Sequence, residues 1–212
     1  MQKEIELFHH YWMQFADALH LDKKIIENLY ELLFAAYSEQ QRYYHTIQHI
    51  VECLNLFHQV KNQLNDPVAV ELAIWFHDAV YDPQASDNEE KSAELLKQHC
   101  ALLFENSTIQ KVYDWIVETK KHQPSQDQDL NYLLDIDLAI LGSSKSRFAE
   151  YELQIQQEYS WVETGLYQEK RAEILQYFHQ MSPLYQTEYF RNLLEFNAKF
   201  NLTTKNRAMQ DD

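Results

Sequence analysis

Apolar residues recur along this chain every three to four positions rather than every two, which is the period of amphipathic helices. Leu7, Tyr11, Phe15 and Ala18 share one helical face, and Ile25, Leu29, Leu32, Leu33 and Ala36 share another. They predict two opening helices around a short break near His20 to Asp22. A third helix is expected from about Thr46, available as its cap, to Lys61. Asp66-Pro67 reads as the cap and first position of a fourth helix, which the pattern carries to just before Pro83. This fourth helix has no polar stripe. Val68, Val70, Leu72, Ala73, Ile74, Trp75, Phe76, Ala79 and Val80 surround it, as expected of a helix at the centre of its domain.

Ser86 with Glu89 and Asp87 with Glu90 form two overlapping capping boxes, opening a fifth helix to about Phe104. A sixth, from about Ser107 to Lys120, leads into the polar stretch His122 to Asp129 around Pro124, the longest loop candidate. Leu130 to Leu141 is an apolar run broken only by Asn131, Asp135 and Asp137, with Gly142 in a C-cap position. Its composition would suit a strand, but no partner strand exists for it, so a helix is expected. Three more helices, Lys145 to Trp161, Glu163 to Met181 and Thr187 to Asn201, precede a polar tail. With only two glycines and four prolines, the chain lacks the turn residues of sheet proteins. The expectation is an all-α, single-domain bundle of about nine to ten helices over 1–212, with flanks at 1–41 and 145–205 around a central 42–142.

Charge narrows the partners. The 33 acidic against 18 basic residues give a formal charge of -15, which repels nucleic-acid phosphates and anionic membrane surfaces. No apolar run approaches the roughly 20 residues that span a bilayer. MQKEIELFHHYW has neither a basic-then-apolar layout nor a small-residue cleavage site, so a soluble cytoplasmic protein is expected. Cys53 and Cys100 are read as two reduced, buried thiols. Fourteen tyrosines and four tryptophans offer aromatic surface for a possible homo-oligomer interface.

Chemistry concentrates where ionisable residues interrupt apolar runs. His77-Asp78 lies in the most apolar of them, and an uncompensated carboxylate there must neutralise, find a partner or bind a metal. His45 and His49 are one helical turn apart, and Asp135 and Asp137 break the last apolar run. Two histidines and two aspartates from three such segments would make a mixed nitrogen and oxygen shell for manganese, iron, magnesium, nickel or zinc. A buried hydrogen-bonded network is the alternative.

The order His49, His77-Asp78, Asp137 resembles the H…HD…D signature of the HD superfamily of metal-dependent phosphohydrolases. RYYHTIQHI (42–50), WFHDAVYDPQASDNEEKSA (75–93) and LLDIDLAILG (133–142) are similar to a bacterial family of HD-type phosphohydrolases of about this length, and RAEILQYF and AKFNL extend the likeness more loosely. The resemblance implies an HD-type helical domain. It makes His49, His77, Asp78 and Asp137 the ligands of a divalent metal, with Asp137 preferred over Asp135 because a leucine follows it. It makes His45 the proton donor to the leaving oxygen; in a metal-dependent hydrolysis of this kind Asp78 would ligate and orient the attacking water. Asp82 matches an acidic position that takes part in catalysis in alarmone hydrolases. Those carry a glutamate just before it, where this chain has Tyr81, which counts against that substrate.

Arg42, with its planar fork, His122, Asn88 and Glu89 are the substrate-side candidates. For Arg42, a surface or stacking arginine is the alternative, for Glu89 capping, and for His122 a solvated loop. Lys170 and Arg171 are further basic candidates, or a solvated helix face. The implied activity is hydrolysis of a phosphate ester or anhydride of a nucleotide or other small phosphorylated molecule. A non-catalytic metal- or nucleotide-holding sensor or scaffold is the rival.

Overall fold

The computed structural model describes the backbone of residues 2–210 and the side chains of 2–203. Among the described residues the chain is all helical and contains no strand. In order come α1 (Gln2–Ala18), α2 (Lys23–Ala36), α3 (Ile47–Val60), α4 (Pro67–Phe76), α5 (Asn88–Cys100), α6 (Asn106–Thr119), α7 (Gln128–Asp137), α8 (Lys145–Glu158), α9 (Thr164–Gln180) and α10 (Glu188–Gln210). Short 3-10 turns occupy Lys61–Gln63 and Leu138–Gly142. None of these helices is long and apolar enough to cross a membrane. The helices group into two compact units, 1–133 and 134–212, and the division falls inside the unbroken α7.

The first unit is built around α4, which packs against α3, α5 and α6, while α1 packs against α2 and α3. Seven of its ten residues are buried, as an apolar circumference requires. Phe8 and Trp12 of α1 meet Trp75 edge-on at 5.0 and 5.3 Å, the arrangement favoured by ring quadrupoles. Asp66 accepts from the Ala69 amide at 3.1 Å with Pro67 at the first turn, as the sequence predicts. The start of α7 belongs to this unit: buried Asp129 accepts from the Asn65 and Asp66 amides at 2.9 and 2.7 Å, and Tyr132 Oη donates to Gln63 Oε1 at 2.8 Å.

Several helix ends differ from the sequence expectation, the seventh helix ending at Asp137 rather than Leu141 and the eighth at Glu158 rather than Trp161 among them. The fourth helix stops at Phe76, not before Pro83, because side chains take the backbone groups that a continuing helix would pair. Tyr37 Oη donates to the Trp75 carbonyl at 2.9 Å, and Arg42 donates to the Asp78 and Ala79 carbonyls at 2.6 and 3.0 Å. Ser92 Oγ accepts from the Val80 amide at 3.0 Å and donates to the Val80 carbonyl at 3.2 Å. At α5 neither capping box forms. Asp87 holds the N-cap position without a side-chain cap bond and pairs with Lys91 at 2.7 Å, and the helix ends at Cys100 rather than Phe104. Thr46 occupies the N-cap of α3, but its hydroxyl donates to the Tyr44 carbonyl instead.

In the second unit α10 packs against α9 and against the turn Leu138–Gly142, and α8 packs against the same turn. Gly142 is not a left-handed cap, since no glycine here has positive φ. Its missing side chain allows close approach instead: a Cβ there would lie 2.6 Å from Leu194 Cβ and 2.8 Å from the Leu194 carbonyl oxygen. Asp135 takes the capping role at the entry to α10, accepting from the Gln186 and Thr187 amides and the Thr187 hydroxyl, all at 2.7 Å. That helix runs past Asn201 to Gln210. Of the two basic candidates, Lys170 is solvated and paired with Glu173, whereas Arg171 is buried, 2.6 Å from Glu152 and over the Tyr151 ring.

Candidate metal centre

Two backbone segments of the first unit supply three of the converging groups. His49 is the third residue of α3, and its position one turn into the helix aims the ring inward, where it is buried. His77 and Asp78 follow the last residue of α4 in the turn that Arg42 and Ser92 enforce. His77 Nδ1 lies 2.9 Å from the Ile74 carbonyl oxygen. A carbonyl only accepts, so Nδ1 carries the proton, which leaves Nε2, the atom turned to Asp78 and His49, as the one a metal-ligating histidine would use.

That Nε2 lies 3.1 Å from His49 Nε2 and 3.1 Å from Asp78 Oδ2, and His49 Nε2 lies 3.4 Å from the same oxygen. Ligands about 2.1 Å from a common ion and 90–110° apart stand about 3.0–3.4 Å from one another, so the spacing is that of a coordination shell. Asp137, the last residue of α7, completes the set. One ligand atom from each of His49, His77, Asp78 and Asp137 lies within 4.8 Å of the other three. The donor set fits a divalent ion chemically: two imidazoles, one oriented by its Nδ1 bond to a carbonyl, and two carboxylates that offset the ion's charge.

The Asp78 side chain keeps 18% of its exposure, while both histidines are buried. Burial alone would raise its carboxyl, but the charges of His77 and His45 and the hydrogen bonds of His49 and His77 outweigh it and hold the group well below the usual carboxylate range. Asp135 differs: burial pushes it up to about 6 against its backbone and hydroxyl donors. The two aspartates of the last apolar run therefore divide the work, Asp135 capping α10 and Asp137 facing the metal group.

His45 stands beside the cluster, its ring centroid 6.0 Å from that of His49, and stacks on Tyr81 at 4.0 Å. Arg42 is not placed as a solvent-facing phosphate clamp. Its side chain is fully buried; Nε donates to Glu39, Nη1 to the carbonyls of His45 and Asp78, and Nη2 to that of Ala79. Asp82 is exposed and accepts from the Gln84 amide at 2.9 Å. Asn88 clasps the backbone of Asp82 through both its oxygen and its nitrogen, at 3.0 and 2.9 Å. Glu89 lies 3.5 Å from Lys120, which also binds Glu90 and the Ser86 carbonyl. His122 sits in the turn after α6 with a left-handed φ of 49° and is not part of the converging group.

Sequence reasoning missed Cys53, whose Sγ lies 3.7 Å from His49 Nδ1 one turn along α3, and Ser92, which pins the turn after Asp78. The four-residue spacing from His49 was the available signal for Cys53; nothing marked Ser92. The chain matches no family model, no curated protein and no solved structure in the three comparisons made with it.

Proposed function

We propose that this chain is a cytoplasmic, metal-dependent phosphohydrolase of the HD type, acting on a phosphate ester or anhydride of a nucleotide or related small molecule. The observation that carries this reading is the convergence of His49, His77, Asp78 and Asp137, in the order of the H…HD…D signature, within 4.8 Å. These four residues would hold the divalent ion, of which manganese, iron, magnesium, nickel and zinc all suit the donor set. When bound, such an ion acidifies a coordinated water and neutralises charge on phosphoryl oxygens.

The rest of the chemistry belongs to the chain. Asp78, ionised and partly open to solvent, accepts a hydrogen bond from the attacking water and orients it towards phosphorus. His77 needs no reorientation, because the Ile74 carbonyl already fixes its ring. His45, when protonated, donates to the oxygen that leaves phosphorus, a step that typically contributes about 10²-fold to 10⁴-fold. The buried histidines keep bulk water from one side of the cluster, which strengthens every charge interaction there.

Hydrolysis of nucleotides and simple phosphate esters with added manganese, beside His77→Ala and Asp78→Ala, tests the reading. Metal-dependent turnover lost in both variants supports it, and turnover that survives them would place the activity elsewhere. The tight convergence would equally serve a module that holds metal or a nucleotide without turnover. Tight metal binding with no hydrolysis of any phosphate compound selects that rival. A protein that binds no metal on titration leaves a hydrogen-bonded network.

A further inference from the structure

Four planar groups of the first unit are layered beside the metal group. The Arg42 guanidinium lies over the Tyr37 ring at 5.3 Å and over the Tyr81 ring at 5.5 Å, both within cation–π range. Tyr81 in turn stacks on His45, with centroids 4.0 Å apart and planes tilted by 27°. Tyr44 closes on the His45 ring from a second direction, edge-on at 4.9 Å. Arg42 also reaches His45 through the backbone, donating to its carbonyl at 3.1 Å, and the same Nη1 donates to the Asp78 carbonyl. One buried guanidinium therefore touches the main chain of both motif segments and the ring that backs His45.

Each part of this column limits a different freedom. The carbonyl contacts fix where the His45 backbone stands relative to Asp78. The Tyr81 face restricts rotation of the imidazole about its side-chain bonds, which an isolated, half-buried histidine would otherwise explore. Holding a proton donor in its reactive orientation is a large part of what an active site contributes to rate.

We propose that Tyr81 is the positioning residue for His45, itself seated by Arg42, so that the column Tyr37, Arg42, Tyr81 and His45 sets the plane of the imidazole. The catalytic side of this proposal rests on His45 being the proton donor of the phosphohydrolase reading; the structural side does not.

The test uses the full chain with Tyr81→Leu, Tyr81→Phe and, in case the leucine variant does not fold, Arg42→Lys. In the metal-free protein, the His45 ring signals in NMR shift towards their unstacked positions in Tyr81→Leu and Arg42→Lys and stay near wild type in Tyr81→Phe. With manganese, hydrolysis of phenyl phosphate, whose leaving group needs a proton, falls about tenfold more than hydrolysis of p-nitrophenyl phosphate, whose leaving group does not. Tyr81→Phe restores the wild-type ratio of the two rates.

Unmoved His45 signals in folded Tyr81→Leu or Arg42→Lys would overturn the positioning role. An equal loss on both esters, with shifted signals, would overturn the catalytic side alone. If the wild-type chain hydrolyses neither ester nor any nucleotide or other phosphate compound, the phosphohydrolase reading fails while the NMR result still decides the column.

Discussion

The Asp78 carboxylate is strongly perturbed, and the sign of its shift is informative. Burial alone opposes ionisation, yet the His77 and His45 charges and the bonds from His49 and His77 hold it well below its ordinary 3.8. A depressed folded value means that its stabilisation is present above the unfolded value and is lost as pH falls below it. In metal-free protein, urea unfolding between about pH 5 and 2 should show this loss, and Asp78→Asn should remove that part of the slope. If the group holds manganese as proposed, His77→Ala, which deletes one of the four converging side chains, should weaken its binding by about 10²-fold or more in calorimetric titration. The converging groups were legible in part because ionisable residues in apolar runs demand a partner, while the choice of His49 and of Asp137 over Asp135 came from the family resemblance. Arg42 was conspicuous in the sequence, but its hold on the main chain was not, because backbone carbonyl acceptors leave no mark in a sequence.

Elements fail or hold for reasons of the same kind. The body of α4 followed from its pattern, but its end at Phe76 is set by Tyr37, Arg42 and Ser92, residues distant in sequence whose pairing a local reading cannot see. Glu71 is the one acidic residue of α4, and burial, partly offset by the charge of Lys61, raises it to about 7. The fold thus favours its protonated form, a contribution complete below the unfolded 4.5 and lost as pH rises through about 7. Glu71→Gln should raise the melting temperature at pH 8 and leave it unchanged at pH 4, by the equivalent of about 1–3 kcal/mol. In the second unit, Gly142→Ala would force its Cβ against Leu194 of α10 and should cost about 1–3 kcal/mol in chemical denaturation. The glycine was conspicuous in the sequence, but its role depends on a helix some fifty residues later.

For the whole molecule, the acidic charge of -15 and the two carboxylates of the cluster mean that a divalent ion held there, as proposed, would offset local repulsion. Manganese at about a hundred times its dissociation constant should stabilise the chain by about 2.7 kcal/mol, or roughly 5–10 °C in Tm. A chelator should reverse the shift, and His77→Ala should show none in a thermal melt. The all-α class was legible throughout, since period and turn-residue scarcity are global properties of the sequence. One local detail extends to this scale as well. The carbonyl that fixes the His77 ring belongs to Ile74, on the last turn of the same helix. The ligand is therefore preorganised when that turn winds, and loosened when it frays. Conditions that fray the end of α4 should weaken metal affinity before global unfolding begins, so a binding isotherm also gauges how firmly that last turn is wound.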